Sequence, residues 1–376
     1  MRIGIVGCGW VADMYMKSMH LHPRELTLVG VADRDPARAR RFGAFHKLRV
    51  YDSADELVDD PRVEIVLNLT NPRSHFEVSR RALTAGKHVY SEKPLAMCVG
   101  EARELVELAT GRGLQLAGAP CSHLSETAQT MGKALRDNAV GPVRAVYAEM
   151  DDGLVHRMPH ETWRTDSGNS WNARDEFEVG CTLEHAGYAL TWLCAWFGPA
   201  ASVTAFASVQ IPDKGIDIPP GAMAPDLSVA CVQFAGGVVA RLTCSLIAHH
   251  DHMIRVFGDD GILSTPDSWL YRSPVYVRRL IRVRRRLMLH PFRRKLRMLG
   301  THLPQPKYRG SSHMDFARGP AELAASVIER RRSRVPMDFS LHLTEMALAI
   351  HDARTNPCRY EMTTRFEPLE PMEWAR

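Results

Sequence analysis

The sequence predicts two tandem units: an N-terminal α/β domain with a parallel, doubly wound sheet, and a C-terminal α+β domain with a large, mostly antiparallel open sheet. Three observations predict this. The chain opens with a β-branched run, Arg2 to Val6, that passes through Gly7-Cys8-Gly9-Trp10-Val11-Ala12 into a helical pattern, the strand, glycine turn and helix of a Rossmann domain. Apolar runs then alternate with helical patterns as far as Ala117, as βαβ units do. After Pro120 the strands follow one another with short turns, which is an antiparallel pattern. A chain of 376 residues can bury a core in each part, and the expected division is 1–120 for nucleotide binding and 121–376 for substrate binding and oligomerisation.

In chain order, Gly7 permits the tight turn, Gly9 lets backbone approach a pyrophosphate, and Trp10 and Val11 begin the helix whose N-terminus faces it. A second strand, Leu26 to Ala32, ends at Asp33, about 20 residues on as the fingerprint requires. A carboxylate there accepts hydrogen bonds from adenosine ribose hydroxyls and repels a 2′-phosphate, which favours NAD; the adjacent Arg34 keeps NADP open. A helix over 37–42 and a turn with a short helix over 51–58 lead to a strand from Val63 to Leu69. Thr70 and Asn71 then offer hydrogen bonds at the carboxyl edge of the sheet. His75 opens the next helix, either touching cofactor or packing on the loop. Val78 to Ala85 reads as the crossover helix with Gly86 as its cap, and the strand after it runs into Glu92-Lys93-Pro94. Pro94 cannot continue a ladder and holds Lys93 extended, so the ammonium is aimed above the sheet edge. A lysine shifts its pKa readily when desolvated, which suits proton transfer. A helix over 101–110 and a strand over 114–117 close the domain.

The second part begins with His123, assigned to the substrate side, and a helix over 125–138. Strands follow over 143–149, 202–209, 228–234 and 238–247. A sheet docked beside the first domain leaves a cleft for a ligand. Between those strands, Gly180 to Leu193 reads as a helix carrying Glu184, Tyr188 and Thr191 at i, i+4 and i+7 on one face. Trp163-Arg164 and Trp171 with Arg174 supply stacking surface and guanidinium for a sugar ring or an anion; the alternative is two indoles covering a core edge. Helices over 316–329 and 341–353 close this part.

Composition narrows the classes. No apolar run is long enough to span a bilayer, and the first residues lack the apolar core and cleavage site of a signal peptide. Eight scattered Cys without a C-x-x-C pair suggest reduced thiols and a cytoplasmic location rather than a disulfide framework or a zinc knuckle. In His249-His250-Asp251-His252, strand alternation leaves only a pair on either face, so no metal is assigned. The net charge of +5 owes much to a basic insertion at about 270–310 and does not by itself imply nucleic acid. There Arg278, Arg279, Arg282 and Arg284 to Arg286 interleave with Val277, Leu280, Ile281 and Leu287 at helical spacing, giving a basic amphipathic stretch. Packing on another subunit or a solvated face is favoured for it, ahead of an anionic-substrate clamp or a membrane surface.

Three marks resemble the Gfo/Idh/MocA oxidoreductases in order and spacing: the opening glycine turn, Thr70-Asn71-Pro72 with Ser74-His75, and Ala85-Gly86-Lys87-His88-Val89 running into Glu92-Lys93-Pro94. The resemblance implies a pyridine-nucleotide enzyme acting on sugars, sugar nucleotides or cyclitols, with Lys93 catalytic and Glu92 on the cofactor. An exposed antiparallel sheet face in the second part favours pairing of subunits, as a homodimer or homotetramer. The family's second motif has an Asp and a His four residues apart and a later Asp; this chain has Glu184, Tyr188 and Thr191 there. Some members also carry Tyr at the His position. The expected catalytic group is therefore Lys93 and Tyr188 as acid and base, with Glu184 orienting them. The resemblance also leaves open a lyase or glycosidase that retains its cofactor and oxidises transiently, and a non-catalytic cofactor-binding protein.

Overall fold

The computed structural model describes residues 1–219, 221–307 and 313–376. Five short strands, β1 (Arg2–Val6), β2 (Thr27–Ala32), β3 (Ile65–Asn68), β4 (His88–Ser91) and β5 (Leu116–Gly118), alternate with α1 (Trp10–Met19), α2 (Pro36–His46), α3 (Ala54–Asp59), α4 (His75–Thr84) and α5 (Val99–Gly111). The strands form one parallel sheet in the order β2-β1-β3-β4-β5. Ile3, Ile5, Ile65, Val66, Leu67 and Val89 are fully buried, because helices cover both faces and every strand position must be apolar. Local chemistry sets the helix starts: Asp35 caps α2 by accepting from Ala37 N and Arg38 N, and Ser53 caps α3 by accepting from Glu56 N. The parallel arrangement brings Gly7, Asp33, Thr70 and Lys93 to one edge of the sheet, where such folds bind ligands.

The second part starts with α6 (Glu126–Arg136) and β6 (Val143–Asp151). A long loop then leads to α7 (Ala173–Cys181), a single π-helical turn over Thr182–Ala186, and α8 (Gly187–Phe197). The remaining strands are β7 (Ala200–Ser208), β8 (Leu227–Phe234), β9 (Val239–Ser245), β10 (Ile254–Gly258), β11 (Gly261–Thr265), β12 (Tyr276–Val283), β13 (Arg286–Leu289), β14 (Arg294–Lys295) and, after the helices α9 (Arg318–Ile328) and α10 (Met337–His351), β15 (Tyr360–Glu361). They build a ten-stranded sheet ordered β13-β12-β11-β10-β6-β9-β8-β7-β15, with β14 against β12. Only β6 and β9 run parallel in it among the described residues.

The closing helices also tie the second part to the first. On α10, Thr344 Oγ1 accepts from Leu95 N at 3.2 Å, Ser340 Oγ accepts from Gly118 N at 2.9 Å, and His342 Nε2 accepts from Ala200 N at 3.0 Å, so one helix bonds both sheets.

The basic insertion departs from expectation. It is a hairpin of β12 and β13 joined by Arg284 and Arg285, with Val283 paired to Arg286. Apolar residues three and four apart fit a helix, but β-branched Val275, Val277, Ile281 and Val283 fit a strand equally. Burial decides the matter: Tyr271, Ser273, Val275 and Val277 alternate inward at a period of two.

Candidate active site

The glycine turn is built for a diphosphate. Gly7 has φ +100°, and a Cβ there would stand 2.5 Å from Leu69 O, so a side chain is excluded. A Cβ on Gly9 would meet nothing within 4 Å. That space lies at the start of α1, where Trp10 and Val11 begin a first turn without a side-chain cap, and free amides there favour an anion. Asp33 Oδ2 accepts from Cys8 N and Oδ1 from Asp35 N, each at 2.8 Å. Asp33 thus stiffens the turn while keeping lone pairs for ribose hydroxyls. Arg34 is exposed beside it; Arg38, which sequence reasoning passed over, is the nearer cation, with Nη1 3.6 Å from Asp33 Oδ1.

At the next strand end, Thr70 Oγ1 donates to Asn68 Oδ1 at 2.7 Å, and Asn71 accepts from Arg73 N at 3.1 Å. His75 takes the loop-packing alternative. Its ring is buried, with Nδ1 2.7 Å from Pro94 O and Nε2 2.9 Å from Thr70 O. Burial lowers its pKa, and a neutral imidazole donates only one of those two bonds. His75 pins the Thr70 loop to the Lys93-Pro94 turn.

Lys93 and Glu184 meet across the cleft: Lys93 Nζ donates to Glu184 Oε2, and both side chains are mostly covered, at 16% and 20% exposure. Burial opposes the charge on Lys93, yet Glu184 and then Glu92 outweigh it and raise its pKa. Burial likewise opposes charge on Glu184, and Lys93 holds its carboxyl low. The pair is ammonium and carboxylate. Glu92 accepts from Tyr15 OH at 2.8 Å and from Lys93 N at 3.2 Å, so it anchors α1 to the lysine turn. The Tyr188 ring faces a cavity shared with Tyr15, Glu92, Ser122, Tyr271 and Phe316. Burial, then Glu92 and Glu184, push its phenol well above the usual range, so it stays protonated.

Two further expected residues stand elsewhere. The π-helical turn widens the helix between Glu184 and Tyr188, a device found at functional sites, and the face beyond it rotates. Thr191 therefore points into the core, fully buried, bonded to Ser122 Oγ at 2.9 Å and to Tyr188 O at 3.0 Å. His123 is also in the core: Nε2 donates to Arg334 O at 2.9 Å, its ring packs on Phe339, and burial drops its pKa to about 4.

Sequence reasoning missed the carboxylate and imidazole relay next to Glu184. His185 Nδ1 lies 2.6 Å from Asp152 Oδ2 and Nε2 lies 2.8 Å from Glu176 Oε1. Burial works against its charge, but Asp152 and Glu176 lift its pKa to about 10, so it is an imidazolium. His252 Nε2 lies 2.9 Å from Asp152 Oδ1. Trp269 packs on all three rings, with centroids 5.8 Å from His185, 4.4 Å from His252 and 5.1 Å from Tyr188, and its buried indole N–H lacks a protein partner. Asp152, at the end of β6, was the available signal. The histidine pair expected on one strand face gains a third group, since Asp152, His250 and His252 each place one ligand atom within 4.8 Å of the others. The carboxylate of Asp152 is already shared by two imidazoles, which satisfies it without an ion.

The loop after β6 lies over the glycine turn. Asn169 Nδ2 donates to Cys8 O at 2.8 Å, Arg41 donates to Asn169 Oδ1 at 2.9 Å, and Ser167 Oγ donates to Asp13 Oδ2 at 2.6 Å. Trp163 and Trp171 pack on each other at 5.2 Å and Trp171 also packs on His160 and Phe177, which is the core-edge arrangement. Arg164 reaches the carbonyls of Glu161 and Trp163, and Arg174 pairs with Glu178. These four residues serve the loop, and no bond of theirs reaches the Lys93 pair among the described contacts.

Comparisons with known proteins give the family and the fold. Residues 1–118 match the oxidoreductase family with an NAD-binding Rossmann fold, Gfo/Idh/MocA, and residues 128–264 match a C-terminal domain of the same family. Trans-1,2-dihydrobenzene-1,2-diol dehydrogenase of Bos taurus is 28% identical over 269 residues, 71% of this chain and 74% of that protein. In fold, levoglucosan dehydrogenase in complex with NADH and levoglucosan superimposes with a TM-score of 0.78 at 15% identity over 97% of this chain and 100% of its own. UDP-N-acetylglucosamine 3-dehydrogenase from Acidithiobacillus ferrooxidans does so with a TM-score of 0.67 at 20% identity over 94% and 97%.

Proposed function

This chain belongs to the Gfo/Idh/MocA oxidoreductases, and on that premise we propose that Lys93, Tyr188 and Glu184 carry the proton chemistry of an NAD(P)-dependent dehydrogenase acting on a CH–OH carbon of a sugar, sugar nucleotide or cyclitol. The observation that carries this reading is the Lys93–Glu184 ion pair at the strand end, with Glu92, the neighbour of Lys93, lining the small cavity that Tyr188 also lines. Bound along that edge by Gly7, Gly9, Asp33 and Thr70, a pyridine nucleotide supplies the hydride acceptor or donor.

The residues handle the proton. Lys93 as ammonium and Tyr188 as phenol are both proton donors, which suits protonation of a carbonyl held between them. In the reverse direction the amine of Lys93 must first be neutral, so oxidation is favoured at higher pH. Glu184 holds the ammonium in place. Trp269, with its ring against Tyr188, His185 and His252, holds Tyr188 in place. The named relatives act on a diol, an anhydrosugar and a sugar nucleotide, which supports a polyol or carbohydrate substrate. Asp33 supports NAD over NADP.

A homo-oligomer is supported by the outer face of the ten-stranded sheet, where Tyr147, Phe206 and Val239 are exposed. The eight cysteines are all free, which supports the reducing cytoplasm. The test is turnover of a panel of sugars, sugar nucleotides and cyclitols with each nucleotide, read by nicotinamide absorbance. Turnover confined to one carbohydrate class is expected; tight NADH binding with no turnover across the panel would overturn the reading in favour of a non-catalytic protein.

A further inference from the structure

The β12–β13 hairpin stands at the free edge of the ten-stranded sheet, away from the catalytic cluster, and nothing in the dehydrogenase reading needs it. Its base is ordinary core, with Val275 and Val277 fully buried. Its tip is not. Leu287 is 63% exposed, Met288 49%, Val283 47% and, just beyond β13, Phe292 78%, an arrangement a solvated protein usually avoids. Between Asp267 and Asp315 the sequence has neither Asp nor Glu, and Arg284 and Arg285 form the turn itself with Arg286 next to it at the start of β13. Arg284 takes φ +54°, at a turn position where Gly or Asn is usual, so charge is kept at the tip against local preference.

The register decides what can cover this tip. Ile281 pairs with Met288 and Val283 with Arg286, so these side chains share one face; Arg282 pairs with Leu287 on the other. Apolar groups therefore emerge from both faces of a two-stranded ribbon, each beside an arginine. A flat protein surface covers one face and leaves the other wet. Immersion in the headgroup region of a bilayer covers both, with the arginines on their long stems reaching phosphates while the apolar tips enter the acyl boundary. Pairing the edge strand with its own copy would satisfy its free backbone groups but leave the apolar tips on both faces of the ribbon uncovered.

We infer that the β12–β13 hairpin is a membrane-surface anchor that docks this protein onto anionic phospholipid. The cytoplasmic leaflet supplies such a surface. The test is flotation of the full-length protein with phosphatidylcholine vesicles, with and without about one-third phosphatidylglycerol, at low and high salt. Two variants accompany the wild type: Leu287→Ser/Met288→Ser/Phe292→Ser, which keeps every charge, and Arg284→Gln/Arg285→Gln/Arg286→Gln. All substituted positions are exposed, so NADH binding and thermal midpoint should match the wild type and certify the fold. The expected result is at least about tenfold more wild-type protein on anionic than on neutral vesicles, weakened by salt, with a several-fold loss in both variants. Three results would overturn the inference: no flotation at low salt; flotation of the serine variant equal to wild type, which reduces the effect to bulk charge; or a change of oligomeric state in either variant without vesicle binding, which assigns the tip to a second copy. Tighter binding to duplex nucleic acid than to vesicles, unchanged by the serines, would overturn it as well.

Discussion

Lys93 is held as an ammonium by two carboxylates although burial disfavours its charge, and that balance has a measurable consequence. Glu184 contributes the largest share of the upward shift, so Glu184→Gln must let the lysine pKa fall. Oxidation of the alcohol needs the neutral amine, so its rate rises with pH through the Lys93 pKa; in Glu184→Gln that rise is expected at lower pH, with reduced turnover at the plateau. A pH–rate profile of both proteins checks this, and an unmoved rise would show that another group titrates. The Lys93–Glu184 contact was legible because short motifs carry both residues. Thr191 was misplaced because helical spacing assumed 3.6 residues per turn through Glu184, where the chain makes a π turn. His123 was misplaced because a histidine between two elements says nothing of which way its ring turns. Asp152 and Trp269 were missed because the site draws them from strand ends far apart in sequence.

At the level of elements, the catalytic helix depends on how it starts. Gly180 has φ +86°, and a Cβ there would stand 2.7 Å from Ala224 Cβ and 2.8 Å from Pro225 O. Gly180→Ala is therefore expected to cost about 2 kcal/mol or more of stability, since strain and overlap add, and to lower turnover by displacing Glu184. Chemical denaturation of the variant measures the first and initial rates the second. The loop over the glycine turn makes a different prediction. Asn169→Ala removes the donor to Cys8 O and the acceptor for Arg41, so NADH affinity should weaken by about tenfold while the fold persists; titration of cofactor fluorescence reads it. The strands and helices of the first domain were legible because each is locally encoded by capping, glycine turns and buried runs. The hairpin was not, since Val277, Leu280 and Ile281 satisfy both periods and only tertiary burial chooses between them.

Across the whole molecule, two sheets of different construction share one cleft because α10 bonds β5 and β7 at once and the loop after β6 bonds the glycine turn. The two sheet types were readable from the shift between βαβ and antiparallel patterning. The return of the last helices to the first sheet was not, because nothing in an amphipathic pattern names its partner surface. The central claim is that this cleft does proton chemistry through Lys93. It is tested most directly by turnover of Lys93→Ala on the best substrate of the panel, with NADH affinity measured on the same preparation. The account predicts a loss of about a hundredfold or more in kcat with NADH affinity kept within a few-fold; near-wild-type turnover at unchanged affinity would contradict it.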